Sequence, residues 1–287
     1  MTRLINQLEN MTVANGEPLV WGRRTYVMGI INVTPDSFSG DGLGSDITAT
    51  VDQALRMEAA GADFLDIGAE STRPGHEPIS PEEELARLMP ALDAIVPKVC
   101  LPISVDTTKS TVAQRAVDAG AAVINDQWGL LADPVLAQIA AKSGTGLILM
   151  HNQRTRSYRD LIPEIQSSLA KSASVARKAG VPQGNIVLDP GIGFGKTPDH
   201  NLEVLRRLGE FRSLGYPIMV GASRKSTIGL VLGLPADQRL EGTAATVALA
   251  ISGGADIVRV HDVKEMVRVS RMSDAVVRGW RPAGWQA

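Results

Sequence analysis

The stretch LPISVDTTKSTVAQRAVDAGAAVIND, residues 101–126, carries the pattern that decides the fold. It opens on an apolar β-type run, LPISVD (101–106), continues through a helical pattern, stops at Gly120 and starts a second run, AVIND (122–126). A glycine just past the last helical residue supplies the left-handed C-cap from which a chain turns back into a strand. The unit reads as strand, helix, strand, and the connection is long enough for the two strands to run parallel. The same unit recurs on both sides. Upstream lie VMGIIN (27–32) and DFLDIG (63–68); downstream lie GLILMH (146–151), NIVLD (185–189), PIMVG (217–221) and ADIVRV (255–260). All eight runs are nearly all apolar, as parallel strands buried on both faces should be.

The punctuation agrees with this reading. Ser80, Pro81 and Glu83 predict a capping box with proline at the first helical position, and Asp133-Pro134 repeats the cap. Gly61 and Gly180 stand where Gly120 does, between a helical run and a new strand. Asn15-Gly16 between short apolar runs predicts a hairpin within residues 11–26 that closes one end of a barrel. Eight units in 287 residues predict a single α/β domain, a (β/α)8 TIM barrel over 27–279, with an extension and hairpin at 1–26 and a tail at 280–287. A doubly wound sheet more often has about five to seven strands. The two tryptophans of that tail, Trp280 and Trp285, are expected on the barrel or at an interface.

Composition limits the partners. Hydrophobic residues make up 44% and charged residues 21%, which excludes a disordered or fibrous chain. Lys plus Arg total 29 against 31 acidic residues, a net charge of −2, so no basic footprint exists for nucleic acid or an anionic membrane. No stretch approaches the ~18 apolar residues of a transmembrane helix, and residues 1–20 hold Asn, Gln and Glu where a signal peptide needs an apolar core, so a cytoplasmic protein is expected. Cys100 is the one cysteine, which excludes an intrachain disulfide and a zinc cage of several thiolates. Its neighbours Val99 and Leu101 predict a buried structural thiol.

In a barrel of this kind, catalytic groups stand at the C-terminal strand ends. Those ends present Asn32, Asp66 with Glu70, Asp106, Asn125 with Asp126, His151, Asp189, Ser223 with Lys225, and Arg259 with His261. Asp106, Asn125 and Asp189 suit the edge of a planar nitrogen heterocycle, whereas Arg73, Lys225, Arg259 and His261 suit phosphate. The pair of chemistries points to a heterocycle joined to a phosphate or diphosphate. An Asn and Asp set without a His/Cys cluster favours oxygen-bound Mg2+ over zinc. The long loops PDSFSGDGLGSD (35–46) and AESTRPGHEPIS (69–80) carry Phe38 and Arg73 and read as lids. LDPGIGFGKT (188–197) has neither P-loop spacing nor the G-x-G-x-x-G fingerprint. His76 and His200 are expected to be solvated, without a catalytic role.

Seven segments together identify a resemblance: GIINVTPDSFSGDG (29–42), DIGAESTRPG (66–75), SVDTTK (104–109), IND (124–126), LDPGIGFGKT (188–197), SRKSTIG (223–229) and RVHDV (259–263). From about residue 27 to 270 the chain resembles the dihydropteroate synthase family. The resemblance implies condensation of 6-hydroxymethyl-7,8-dihydropterin diphosphate with p-aminobenzoate to give 7,8-dihydropteroate and diphosphate. By the same similarity, Asp106, Asn125, Asp189 and Lys225 hold the pterin. Asn32 ligates Mg2+ on the diphosphate, Arg73, Arg259 and His261 bind the phosphates, and Phe38, Thr72, Arg73, Phe194 and Ser223 shape the p-aminobenzoate site. Asp106, Lys225, Arg259 and His261 are the expected catalytic set, and a homodimer is implied.

The chain departs from the family pattern after strands four and five. Gln127-Trp128 stands where the family usually has a small aliphatic and a small residue, so Gln127 is expected to face the pterin pocket. His151-Asn152-Gln153-Arg154 replaces the usual His-Met-Gln-Gly, and Arg156 and Tyr158 follow. Two other readings share the barrel: a paralogue that binds pterin without synthase activity, and a pterin-dependent methyltransferase. The cations of SRKS and RVHDV suit a diphosphate leaving group and speak against the methyltransferase.

Overall fold

In the computed structural model, which describes residues 8–12, 18–34, 46–71 and 77–285, eight parallel strands pair around a barrel. They are β1 (Tyr26–Asn32), β2 (Phe64–Gly68), β3 (Ile103–Asp106), β4 (Val123–Asp126), β5 (Gly146–Met150), β6 (Ile186–Asp189), β7 (Met219–Val220) and β8 (Ile257–Val260). β1 pairs with both β2 and β8. The seam between β6 and β7 is held by one bridge, Leu188 to Ile218, with the Leu188 N–H donating to the Pro217 carbonyl at 2.9 Å. β7 is shorter than the expected 217–221. Pro217 has no N–H to give, and the Ile218 N–H is taken by the Asp256 carboxylate at 3.1 Å, so regular pairing starts only at Met219.

Alternation along the strands sorts the core into three parts. Outward residues such as Ile31, Leu65, Ile67 and Val105 pack under α1 (Ile47–Ala59), α2 (Pro81–Ile95), α3 (Ser110–Asp118) and α9 (Val263–Val277). Ile124, Leu147, Leu149 and Leu188 pack under α4 (Val135–Ser143), α5 (Leu161–Ala179) and α6 (Pro198–Arg206). Inward residues Met28, Phe64, Val123, Ile148, Val187, Met219 and Ile257 form a separate cluster with Met11, Leu19 and Trp21. That third cluster fills the N-terminal half of the barrel and makes it a packed core. Met11 and Leu19 pair antiparallel, with the Leu19 N–H donating to the Met11 carbonyl at 2.9 Å. The Asn15-Gly16 turn of the expected hairpin lies outside the described residues.

The described residues hold nine α-helices rather than eight, because both α7 (Ser226–Leu232) and α8 (Leu240–Ser252) lie between β7 and β8. Gly61, Gly120 and Gly180 take positive φ of 93°, 107° and 103°, as their positions required. Ser80 caps α2 by accepting the Glu83 N–H at 3.2 Å, but the Glu83 carboxylate pairs with Arg87 instead of reaching back, so the box is half made. Asp133 accepts from Val135 N–H at 3.1 Å and Ser110 N–H at 2.9 Å; one carboxylate thus ties the starts of α4 and α3. Cys100 is exposed, against the expectation of a buried thiol. Its flanking Val99 and Leu101 turn onto the core, and the Cys100 N–H, held by Glu58 Oε1 at 2.7 Å, leaves the side chain on the outer side of the loop. In the tail, Trp280 is half-buried and Trp285 is exposed.

Candidate active site

The inward face changes character along each strand. Two residues beyond the apolar Phe64, Val123, Val187 and Ile257, the same face presents Asp66, Asn125, Asp189 and Arg259, and β3 ends on Asp106. Parallel register brings these groups together at the C-terminal mouth: Asp106 lies opposite Asn125, and β5 Met150 lies opposite Asp189.

One guanidinium organises two carboxylates. Arg259 Nε donates to Asp66 Oδ2 at 2.6 Å and Nη2 to Asp106 Oδ2 at 3.2 Å. Asn125 Nδ2 also donates to Asp66 Oδ2, at 3.1 Å, which leaves its carbonyl oxygen as an acceptor. Gln127 Nε2 donates to Asp106 Oδ2 at 2.5 Å. Burial and the nearby Asp66 push the Asp106 carboxyl up to about 7, against the opposing pull of Arg259 and Gln127. Asp189 is likewise raised by burial, while the Gly191 N–H, donated to its Oδ1 at 2.7 Å, opposes the rise.

Across the mouth, Lys225 donates to the Ile192 carbonyl and stands 4.3 Å from the centre of the Phe194 ring. Burial lowers its ammonium to about 8. Ser223 Oγ accepts the His261 N–H at 3.2 Å and lies 2.9 Å from His261 Nδ1. This arrangement is held by Arg224, whose φ of 55° is unusual for a residue with a side chain and which forks onto Asp262, the residue after His261. Arg239 donates to the Arg224 carbonyl at 2.8 Å and completes the brace.

Three further groups shape the loops. Lys196 is buried and donates to the Gly191 and Phe194 carbonyls at 3.0 and 3.1 Å, and burial brings it down to about 7. Sequence reading did not single it out, although its place at the end of a glycine-rich run was a usable signal. His151 Nε2 meets the Tyr158 hydroxyl at 3.1 Å, which donates to the Gly195 carbonyl at 2.9 Å; burial lowers the imidazole to about 3 and keeps it neutral. Tyr158 also stands edge-on to His200, which is half-buried rather than solvated and completes a capping box with Thr197 on α6. Lys109 bridges Glu70, at 2.5 Å, and Glu84, fixing the two sides of the second long loop.

The expected site residues Asp106, Asn125, Asp189, Phe194, Ser223, Lys225, Arg259 and His261 therefore line the C-terminal face of one barrel. Asn32 is half-buried at the end of β1. Arg154 and Arg156 are exposed. Phe38, Thr72, Arg73 and His76 lie outside the described residues.

Residues 28–261 match the family model for pterin binding enzymes. The dihydropteroate synthase of Bacillus subtilis is 49% identical over 259 residues, covering 90% of this chain and 91% of that one. A crystal structure of dihydropteroate synthase from Clostridium difficile, solved in the presence of pteroic acid, superposes with a TM-score of 0.86 at 46% identity and covers 90% of this chain and 98% of that one. A Xanthomonas albilineans dihydropteroate synthase with 4-aminobenzoic acid gives 0.87 at 38% identity, covering 96% and 100%. The family model over most of the chain, with relatives this similar in sequence and in fold, places the chain in the pterin-binding enzyme family, among the dihydropteroate synthases.

Proposed function

We propose that Asp106, Asn125, Asp189 and Lys225 hold the pterin and that Arg259, His261 and Ser223 serve its leaving group and the incoming amine. The reaction of this family is the transfer of a pterinylmethyl group from 6-hydroxymethyl-7,8-dihydropterin diphosphate to p-aminobenzoate. The observation that carries the assignment is the hydrogen-bonded cluster of buried Asp66 and Asn125 with the partly buried Asp106 and Arg259, a set of acceptors and donors in a barrel mouth. The carbon–oxygen bond of the exocyclic methylene breaks with its electron pair leaving on diphosphate, and the amine lone pair then forms the carbon–nitrogen bond as the amine loses a proton. Positive charge develops on the methylene, and an ionised Asp106 favours it electrostatically. No nucleophilic side chain takes part.

Asp189 and the Asn125 carbonyl oxygen accept from pterin N–H groups, and Lys225 donates to the ring. Arg259 keeps one terminal nitrogen, Nη1, clear of the two carboxylates, and with His261 it faces the departing phosphates. Phe194, next to Lys225, supplies one wall for p-aminobenzoate, with Ser223 near its carboxylate. Phe38, Thr72 and Arg73 are assigned to the same subsite by family resemblance. The chemistry at Asn32 fits Mg2+, because a carboxamide oxygen at a strand end is a hard donor. Mg2+ there would neutralise charge on the diphosphate.

The apolar side chains exposed on α7, α8 and α9 support a homodimer. A single exposed thiol, Cys100, suits a reducing cytoplasm. The test of function is formation of dihydropteroate from the two substrates with Mg2+. Turnover by the purified chain is the expected result; retained binding of pterin diphosphate with no turnover would replace the reading with that of a non-synthase paralogue.

A further inference from the structure

The two carboxylates at the barrel mouth are held in matching ways. Each receives one N–H from the Arg259 guanidinium and one from a side-chain amide: Asn125 for Asp66 and Gln127 for Asp106. Both amides come from the end of β4 and the residues just after it, so one segment serves both acids. We propose that Gln127 is a positioning residue for the synthase reaction, holding Asp106 by Oδ2 beside Arg259 so that the carboxylate form is favoured and Oδ1 is left for the pterin.

The frame around Gln127 is rigid enough for such a role. Gln127 is 6% exposed. Its neighbour Asp126 accepts the Trp128 N–H at 2.9 Å and the Leu130 N–H at 2.5 Å, folding the segment into a turn. Gly129, at φ 56°, leaves no room for a side chain, because a Cβ there would lie 2.8 Å from the Met150 carbonyl oxygen. Ser172 on α5 donates to the Gly129 carbonyl at 2.7 Å. Among the described residues, Oδ1 of Asp106 takes no hydrogen bond, whereas Oδ2 takes two.

The charges facing Asp106 explain why a second donor matters. Asp66 from β2 and Glu84 from α2 disfavour its ionised form; Arg259 from β8 and Lys225, just ahead of α7, favour it. Arg259 is shared with Asp66, so without Gln127 the Asp106 carboxylate would keep, among the described residues, one hydrogen bond from a shared guanidinium. Its carboxyl, already up at about 7, would rise further, and the ionised fraction near neutral pH would fall.

The inference rests on the reading that Asp106 grips the pterin, and the experiment separates the two. Binding of 6-hydroxymethylpterin, which has no phosphate to titrate, is measured by calorimetry from pH 5.5 to 8.5, together with the pH profile of kcat/KM, which reports the free enzyme. Gln127→Met keeps the length and removes the donor. It is expected to move the acid limb of both profiles upward by about half to one pH unit, with loss at pH 6.5 several-fold larger than at pH 8.5. Gln127→Glu, which adds a like charge, is expected to move it further and serves as the second variant should Gln127→Met not fold. In an Asp106→Asn background the limb should vanish and Gln127→Met should add nothing. Acid limbs unmoved in both Gln127 variants while Asp106→Asn abolishes the limb would overturn the proposal alone. A limb that survives Asp106→Asn would overturn the Asp106 reading and the proposal with it.

Discussion

Asp106 pays in stability for its place in the site. Its carboxyl is raised from 3.8 to about 7, so between about pH 4 and pH 7 the native state holds a proton that the unfolded chain has released. Stability from this group is therefore fully present below about pH 4 and is lost as pH rises through about 7. Asp106→Asn is expected to gain on the order of 1 kcal/mol or more at pH 8 and little at pH 4.5, read as a Tm rise confined to the higher pH; a rise of equal size at both would refute the linkage. Asp189→Ala removes an acceptor for pterin N–H groups and should weaken pterin diphosphate binding by roughly 1 to 3 kcal/mol, with unchanged calorimetric affinity refuting the assignment. Lys225→Ala should lose about 100-fold or more in rate with an unchanged circular dichroism spectrum. These residues were legible because a barrel strand places its chemistry at a known end. Their partners were not: nothing in RVHDV tells that Arg259 divides its nitrogens between Asp66 and Asp106, since that depends on closure of the barrel across 193 residues. Cys100 misled for a similar reason, as apolar neighbours do not fix which way a loop side chain turns.

At the level of elements, strand and helix were readable wherever one period dominated. The glycines after α1, α3 and α5 marked helix ends correctly because positive φ admits few other residues. The connection from β7 to β8 was harder, because SRKSTIGLVLGLPADQRLEGTAATVALA mixes two helices around Gly233 and Pro235. Gly29 shows how tightly the outer layer is set. It faces outward from β1, and a Cβ there would lie 2.7 Å from Met57 Sδ on α1 and 3.1 Å from Val263 Cγ2 on α9. Gly29→Val should push both helices off the sheet at a cost of about 1 to 3 kcal/mol or more, measured by urea denaturation; wild-type stability would mean that α1 and α9 have slack that the packing does not show.

Across the whole molecule, the surface is uneven. Leu230 and Val231 on α7, Leu249 on α8, and Met272 and Val276 on α9 are each more than 60% exposed. α8 packs against both α7 and α9, so these side chains sit on adjoining helices of one flank. Scattered exposed apolar residues are ordinary, but a concentration on neighbouring elements is a surface that pairing of two copies would cover. A closed pair related by a two-fold axis would cover the flank of both copies without leaving a free edge, whereas a head-to-tail contact would propagate. A net charge of −2 offers little repulsion against such pairing. Val276 is 73% exposed, so Val276→Glu removes no core contact and is expected to leave the fold intact. In a dimer that uses this flank, it would place two like charges in an apolar contact. Sedimentation equilibrium should then give a mass near twice 30.5 kDa for the wild type and near 30.5 kDa for the variant. A wild type that sediments as a monomer, or a variant that remains dimeric, would show that the flank serves another purpose.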